Sequence, residues 1–439
     1  MTKSFKLSLM LIFIYQLFIA SGFELAHDEA YYWLYSKHLD WGYFDHPPFV
    51  AIIIKLFSFL PHSELAVRFG FVILQFASLL ILMTLSSVPL ITMLLFFSFP
   101  LASASGLFAL PDLPLLFMTS VYCWMLKRYL KNDNPQNSIS LGIVIAGLLY
   151  AKYHGILLIF FTILALPRVC LKKSFYLVAL VALVSFFPHI LWQYHHEFST
   201  LKYHFLERPS SSFSLMRIFE YLTLQTFLAG LFVGPLVWYS VIKEKSDDSF
   251  KRVLKFISLG VIAFFLISSF SKKTEANWTI FLTIPLILLS EQSGLWNKKI
   301  PRILLYISFA IILLARCALL FSPTQLNIKR LGEFHGWKSW SEEVKKSCQE
   351  LPLMANSYQI ASKLSFYLNS EIHALNYRSR KNQFDYWRFD QSQPTNQVCY
   401  ITDKNEFSGE KLITPDGKNV LIVKNLGLDW LWGLKSKLR

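Results

Sequence analysis

Runs of Leu, Ile, Phe and Val of about 18 or more residues recur along the first three quarters of the chain, long enough to cross a bilayer as helices. The pattern predicts eleven spans, near residues 5–22, 65–85, 89–108, 113–130, 138–151, 154–167, 174–192, 218–242, 253–270, 278–291 and 302–321. The pair covering 138–167 is short for a bilayer and is expected to tilt or kink. The apolar stretch Pro47 to Leu60 is too short to span. It reads as a helix lying in the interface with Lys55 snorkelling. Leu7 to Ala20 has the length of a signal segment, but no small-residue cleavage site follows, so it reads as the first span.

From about Ser322 the pattern changes. The tail is polar, mixed in charge and without an apolar run of spanning length. Alternation around Val420-Leu421-Ile422-Val423 predicts a strand, and Ser341 to Glu350 predicts a helix. The chain therefore divides into a membrane region, residues 1–321, with a large first loop at 23–64, and a small α/β domain at 322–439. The predicted fold class is a polytopic α-helical membrane protein with a small appended α/β domain.

Composition agrees. Of 439 residues, 54% are hydrophobic and only 16% charged, against roughly a quarter charged in soluble chains. That excludes a soluble globular enzyme, a disordered chain and a disulfide-rich mini-domain. The net charge of +15 does not point to nucleic acid, because the basic residues sit between apolar runs rather than in one patch. Their distribution orients the chain. With the N-terminus inside, Lys127, Arg128 and Lys131, then Arg168, Lys172 and Lys173, then the Lys243–Lys255 group all fall in short inside loops. Inside basic residues outnumber outside ones by about two to one, the bias of cytoplasmic loops. An odd span count then puts the tail outside the cytoplasm. Two of the five cysteines, Cys348 and Cys399, lie in that tail, where an oxidising compartment permits a disulfide between them.

Polar residues beside spans are costly and mark function. They collect in the outside loops. The first loop reads His27-Asp28-Glu29-Ala30-Tyr31-Tyr32-Trp33, then Tyr43-Phe44-Asp45-His46-Pro47-Pro48. Others are Pro111-Asp112-Leu113-Pro114, Ala151-Lys152-Tyr153-His154, the stretch from Trp192 to Pro209, and Lys272-Lys273-Thr274-Glu275-Ala276-Asn277-Trp278. Asp112 alone reads more readily as a helix cap, and its place on the same predicted face as Asp28 adds the functional reading. His195, His196, Glu197 and His204 have no recognised metal-ligand spacing, so no metal site is assigned. Arg208 suits an anion, since a guanidinium pairs well with phosphate.

Together these pieces resemble the GT-C glycosyltransferases, in particular the bacterial branch of the dolichyl-phosphate-mannose–protein mannosyltransferase family, which is similar to the aminoarabinose transferases of lipid A. The resemblance is carried by Asp28 to Trp33, by Tyr43 to Pro48 and by Leu110 to Pro114. Ala151-Lys152-Tyr153 and Glu275 to Trp278 add to it. In the tail Arg330-Leu331-Gly332 with Gly336-Trp337, and Tyr358 to Ser362 through Phe366-Tyr367-Leu368, do the same. It implies a polyprenyl-phosphate sugar as donor, an acidic catalytic residue in the first outside loop and inversion at the anomeric carbon. It also implies that Tyr31, Tyr32, Asp45, His46, Asn277 and Trp278 contact substrate. The compartment implied is the inner membrane of a Gram-negative bacterium. The tail is small beside some relatives, so the acceptor does not carry over. In the family acceptors range from protein hydroxyls to lipid A and core sugars.

The residues suit that chemistry on their own terms. An acceptor hydroxyl must lose a proton as it attacks, and a carboxylate in reach takes it. Asp28 is the candidate base, with Glu29 orienting the loop or acceptor and Asp112 completing the acidic site. The departing lipid phosphate needs positive charge, for which Lys152, Arg208 and Lys273 are candidates and a divalent metal the fallback. The competing function is a lipid or glycan flippase. It would place polar or broken helices near the midplane, whereas the carboxylates here fall at span ends.

Overall fold

The computed structural model describes residues 2–202, 213–270, 274–326, 328–349, 351–387 and 396–436. Arg208, Lys273 and His204 lie outside the described residues.

The membrane region begins with α1 (Lys3–Ser21). The first loop holds α2 (His27–Lys37) and the short α3 (Phe49–Leu56), and α4 (Glu64–Leu85) follows. Ser63 caps α4 by accepting from the Ala66 amide, satisfying one of the amides that a helix start leaves open. Next come α5 (Pro89–Ser98), α6 (Pro100–Ala104), α7 (Asp112–Lys131), α8 (Pro135–Ala151), α9 (Gly155–Ala165), α10 (Lys173–His195) and the turn-length α11 (Ser199–Lys202). Beyond them lie α12 (Leu215–Leu228), α13 (Gly234–Lys243), α14 (Ser249–Ser268), a 3₁₀ turn at Ala276–Leu282 leading into α15 (Thr283–Ser290), α16 (Lys299–Ala315) and the short α17 (Pro323–Leu326).

Every predicted span has helical counterparts, but two break into separate α-helices. The 89–108 segment bends by 86° between α5 and the helices from Pro100 on. Proline has no N–H to continue the ladder and forces Phe99 into an extended conformation, φ −78° and ψ 113°. The carbonyls left open at the end of α6 are taken by side chains, as the apolar surroundings demand. Gln75 Nε2 donates to Ser103 O at 3.0 Å, and Arg316 Nη1 to the same oxygen at 2.6 Å. The 218–242 segment breaks between α12 and α13, where Gly230 has φ +121°. There a Cβ on Gly234 would lie 1.9 Å from the Thr226 carbonyl oxygen, so only glycine lets the two helices fold together. By length and apolarity alone, four helices of the described residues qualify as spans, or up to five with the bent pair taken as one. The best qualified include α10, which leaves Leu183, Val184 and Phe187 exposed. An outward apolar face of that kind suits lipid.

The tail contains α18 (Trp337–Cys348), β1 (Leu353–Ala355), α19 (Tyr358–Tyr367), β2 (His373–Ala374), β3 (Gln397–Thr402), β4 (Glu410–Ile413), β5 (Asn419–Gly427) and α20 (Leu428–Ser436). The strand order is β2-β1-β3-β5-β4. β1 runs parallel to β2 and β3, while β5 is antiparallel to β3 and β4. The Cys348–Cys399 disulfide ties the end of α18 to β3.

This α/β unit is docked on the first loop by hydrogen bonds. The amides of Trp337 and Lys338, at the start of α18, donate to the Glu24 carboxylate at 2.6 and 3.1 Å. The Leu25 amide donates to Tyr367 Oη at 2.9 Å and the Phe44 amide to Gln383 Oε1 at 2.8 Å. Buried Lys363 reaches the carbonyls of Leu25 and Glu333. Burial pushes its ammonium down to about 7.

Candidate active site

Two carboxylates open α2, where the positive end of the helix dipole favours them. Successive helix positions point about 100° apart, so the two face different environments. Asp28 looks into a cavity of about 360 Å³ enclosed between the first loop, the starts of α7 and α9, the 275–278 segment and the α/β unit. Glu29 turns back into the bundle. Its carboxylate accepts from Arg68 Nε at 2.8 Å and Nη2 at 2.7 Å, and from the Ala26 and Ala109 amides at 2.8 and 2.9 Å. Arg68 spends its other donors on the carbonyls of Ala20, Phe23 and Glu24. Both side chains are wholly buried. Glu29, read from the sequence among the catalytic residues as orienting the loop or acceptor, joins α2, α4 and the turn before α7 and does not line the cavity.

Three further groups shape the cavity. Tyr358 Oη donates to Asp28 Oδ1 at 3.2 Å. Burial raises the Asp28 carboxyl to about 6, and the neighbouring carboxylates of Asp45 and Glu333 add to it. Asp45 accepts from Arg380 Nη2 at 2.8 Å, Tyr31 Oη at 3.1 Å and Tyr35 Oη at 3.4 Å. Burial raises its carboxyl too, and the guanidinium of Arg380 works against that. On the opposite wall Lys152 Nζ donates to Asp112 Oδ1 at 2.8 Å, and Asn277 Nδ2 to both Asp112 oxygens at 3.2 and 3.0 Å. Lys152 and Asp112 are nearly buried, so the ion pair is poorly screened.

The residues predicted from four separate loops thus converge. Asp28, Tyr31, Tyr32, Asp45, His46 and Asp112 line one cavity, as do Lys152, Asn277 and Trp278. Of the three phosphate candidates, Lys152 alone is among the described residues; it lines the cavity, with its ammonium donating to Asp112. Sequence reasoning missed Tyr358, Arg380, Tyr153 and Glu275. Tyr153, Tyr358 and Glu275 stand in stretches that carried the family resemblance; Arg380 lies in a loop with no local signal. Tyr153 is fixed by His189 Nε2 and Gln193 Nε2, each 2.7 Å from its hydroxyl. Of the histidines weighed as metal ligands, His196 stacks on Trp192. Among the described residues no group of three or more His, Cys, Asp or Glu is placed to hold a metal.

Three comparisons bear on this arrangement. Residues 45–192 match the dolichyl-phosphate-mannose-protein mannosyltransferase family. Lipid A galacturonosyltransferase RgtD of Rhizobium johnstonii is 25% identical over 278 residues, which is 58% of this chain and 57% of that protein. The match thus spans little more than half the length of that relative. The crystal structure of ArnT from Cupriavidus metallidurans in the apo state superposes with a TM-score of 0.68 at 12% identity, covering 95% of this chain and 97% of that one. The structure of the same protein bound to undecaprenyl phosphate gives 0.67. Near-complete coverage at low identity shows a shared fold. The chain accordingly shares the fold of ArnT, and its residues 45–192, about a third of its length, match the dolichyl-phosphate-mannose-protein mannosyltransferase family.

Proposed function

We propose that the chain is a membrane glycosyltransferase. It moves a hexosyl or pentosyl group from a polyprenyl-phosphate carrier to a hydroxyl of an acceptor on the non-cytoplasmic face of a bacterial inner membrane. The acceptor we favour is lipid A or its core, ahead of other surface glycans and protein, because the curated relative is named for lipid A. The bound undecaprenyl phosphate named for ArnT supports the carrier.

One observation carries the reading: Asp28 and the Lys152–Asp112 pair line one cavity. Asp28 takes the acceptor proton while the acceptor oxygen bonds to the anomeric carbon. A carboxyl raised to about 6 is well matched to base catalysis near neutral pH. The bond from the anomeric carbon to the carrier phosphate breaks, and the phosphate leaves with the electron pair. Attack from the side opposite the phosphate inverts the centre. The transition state has oxocarbenium character, and the charge gathering on the phosphate is met by Lys152, whose ammonium Asp112 holds in place. Asp45, braced by Arg380 and two tyrosines, keeps a second carboxylate close to Asp28 and so keeps the base's proton affinity high.

Mass spectra of lipid A and core from cells with the wild type or Asp28→Asn test this. The expected result is a sugar-sized mass present with the wild type and missing with the variant. Identical spectra would remove lipid A and core as acceptors.

A further inference from the structure

A second cavity, of about 490 Å³, lies in the α/β unit and shares a wall with the first. Its floor follows from the sheet topology. β1, β2 and β3 run parallel, and their carboxyl ends lead directly into the segments bearing Ser357, Asn376 and Asp403. The chain leaves β1 for β2 on one side and returns to β3 on the other. In open α/β sheets the crevice at such a switch point, outside the strands' carboxyl ends, is where ligands bind. The roof is His27, one residue before Asp28, with Trp337 and the 414–418 turn.

The lining identifies the kind of ligand. Its charges are matched within the protein. Lys418 Nζ lies 2.9 Å from Asp416 Oδ2, His27 Nε2 lies 3.4 Å from the same oxygen, and Arg380 is paired with Asp45 at 2.8 Å. No basic cluster is present for a phosphate. Hydroxyls and amides make up much of the rest, Ser357 and Gln359 among them, beside the rings of Trp337 and Tyr358, while the buried amides of Asn376 and Asn382 pair with each other. Side chains that both donate and accept, next to aromatic faces, suit the hydroxyls and C–H faces of a sugar. The volume falls in the range of small-molecule sites, about 300–1,000 Å³.

The shared wall links this cavity to the chemistry. Tyr358 and Arg380 line both cavities, and the Tyr358 hydroxyl donates to Asp28 Oδ1 at 3.2 Å. We propose that the second cavity is the acceptor subsite. It binds the saccharide part of a glycan or glycolipid acceptor and presents one of its hydroxyls past Tyr358 to Asp28. This rests on Asp28 being the base of the proposed reaction. It excludes an acceptor that is a protein side chain.

The test uses the full chain in lipid nanodiscs and two binding measurements that need no turnover. The probe for the subsite is the de-acylated oligosaccharide of Gram-negative lipopolysaccharide, read by saturation-transfer NMR; the probe for the carrier is undecaprenyl phosphate. Gln359→Trp and Ser379→Trp each add a ring to the lining of the second cavity at a residue that does not line the first. Both should weaken oligosaccharide binding by about tenfold or more and leave undecaprenyl phosphate binding at the wild-type level. A variant that loses both has misfolded, and exposed Ser379 is the position that tolerates the larger ring. The proposal is overturned if the oligosaccharide does not bind the wild type, or binds both folded variants equally well. Failure of the transferase reading itself would show separately, as absence of sugar transfer by the wild type.

Discussion

Asp28 and Glu29 are adjacent carboxylates with opposite fates. Glu29 is neutralised by Arg68 and two backbone amides, whereas Asp28 has one phenol donor and two nearby carboxylates. An ionised Asp28 is therefore costly to the fold and useful to the reaction. Its folded pKa of about 6 lies above the ordinary 3.8. Below 3.8 the carboxyl is neutral whether folded or not, and the stability this preserves is lost as pH rises through 6. Asp28→Asn should consequently melt higher than the wild type at neutral pH and at the same temperature at about pH 3, below the ordinary value, a difference that thermal denaturation reads directly. Activity has the opposite sign. As pH falls through 6 the base gains its proton, so kcat/KM should drop along an acid limb with a midpoint near 6. A flat profile between pH 5 and 7 would separate Asp28 from the proton transfer.

At the scale of elements, the Arg68–Glu29 pair fastens α2 to α4 and to the turn that delivers Asp112. Removing one partner leaves a buried charge uncompensated. Arg68→Met is expected to cost about 3–5 kcal/mol, and Arg68→Met with Glu29→Gln distinctly less, measured as a double-mutant cycle in denaturant. Equal losses would mean that the pair is not what joins these elements. The sequence made the helices legible through the length and apolarity of their runs, and its proline and glycine punctuation was less easily weighed. Pro100 and Gly230 both lie inside runs whose hydrophobicity continues across them. The run alone therefore predicts one helix where the backbone makes two. What Glu29 faces was hidden for a related reason: adjacency in sequence does not separate the environments of neighbouring helix positions, about 100° apart, until the partner, Arg68, is known.

At the scale of the molecule, the site is closed by the α/β unit sitting on the first loop. Asp28, Asp112, Lys152 and Asn277 could be gathered from the sequence because each sits at a span end on one predicted face. Tyr358 and Arg380 could not be assigned, since their contacts with Asp28 and Asp45 cross more than 300 residues of chain and depend on how the tail docks. If the site faces away from the cytoplasm, so must this unit, and the Cys348–Cys399 disulfide suits such a compartment. A cysteine replacing exposed Ser339 should react with a membrane-impermeant maleimide in intact spheroplasts, while native Cys170, in a predicted inside loop, should stay protected until lysis. The reverse pattern would invert the proposed topology.

The most direct measurement is sugar transfer by the purified chain in nanodiscs, supplied with a polyprenyl-phosphate sugar and lipid A, with wild type and Asp28→Asn side by side. The wild type should form glycosylated lipid A and free polyprenyl phosphate in equal amounts. The variant, still folded and still binding undecaprenyl phosphate, should turn over about a hundredfold more slowly or worse. Transfer by Asp28→Asn at the wild-type rate would contradict it.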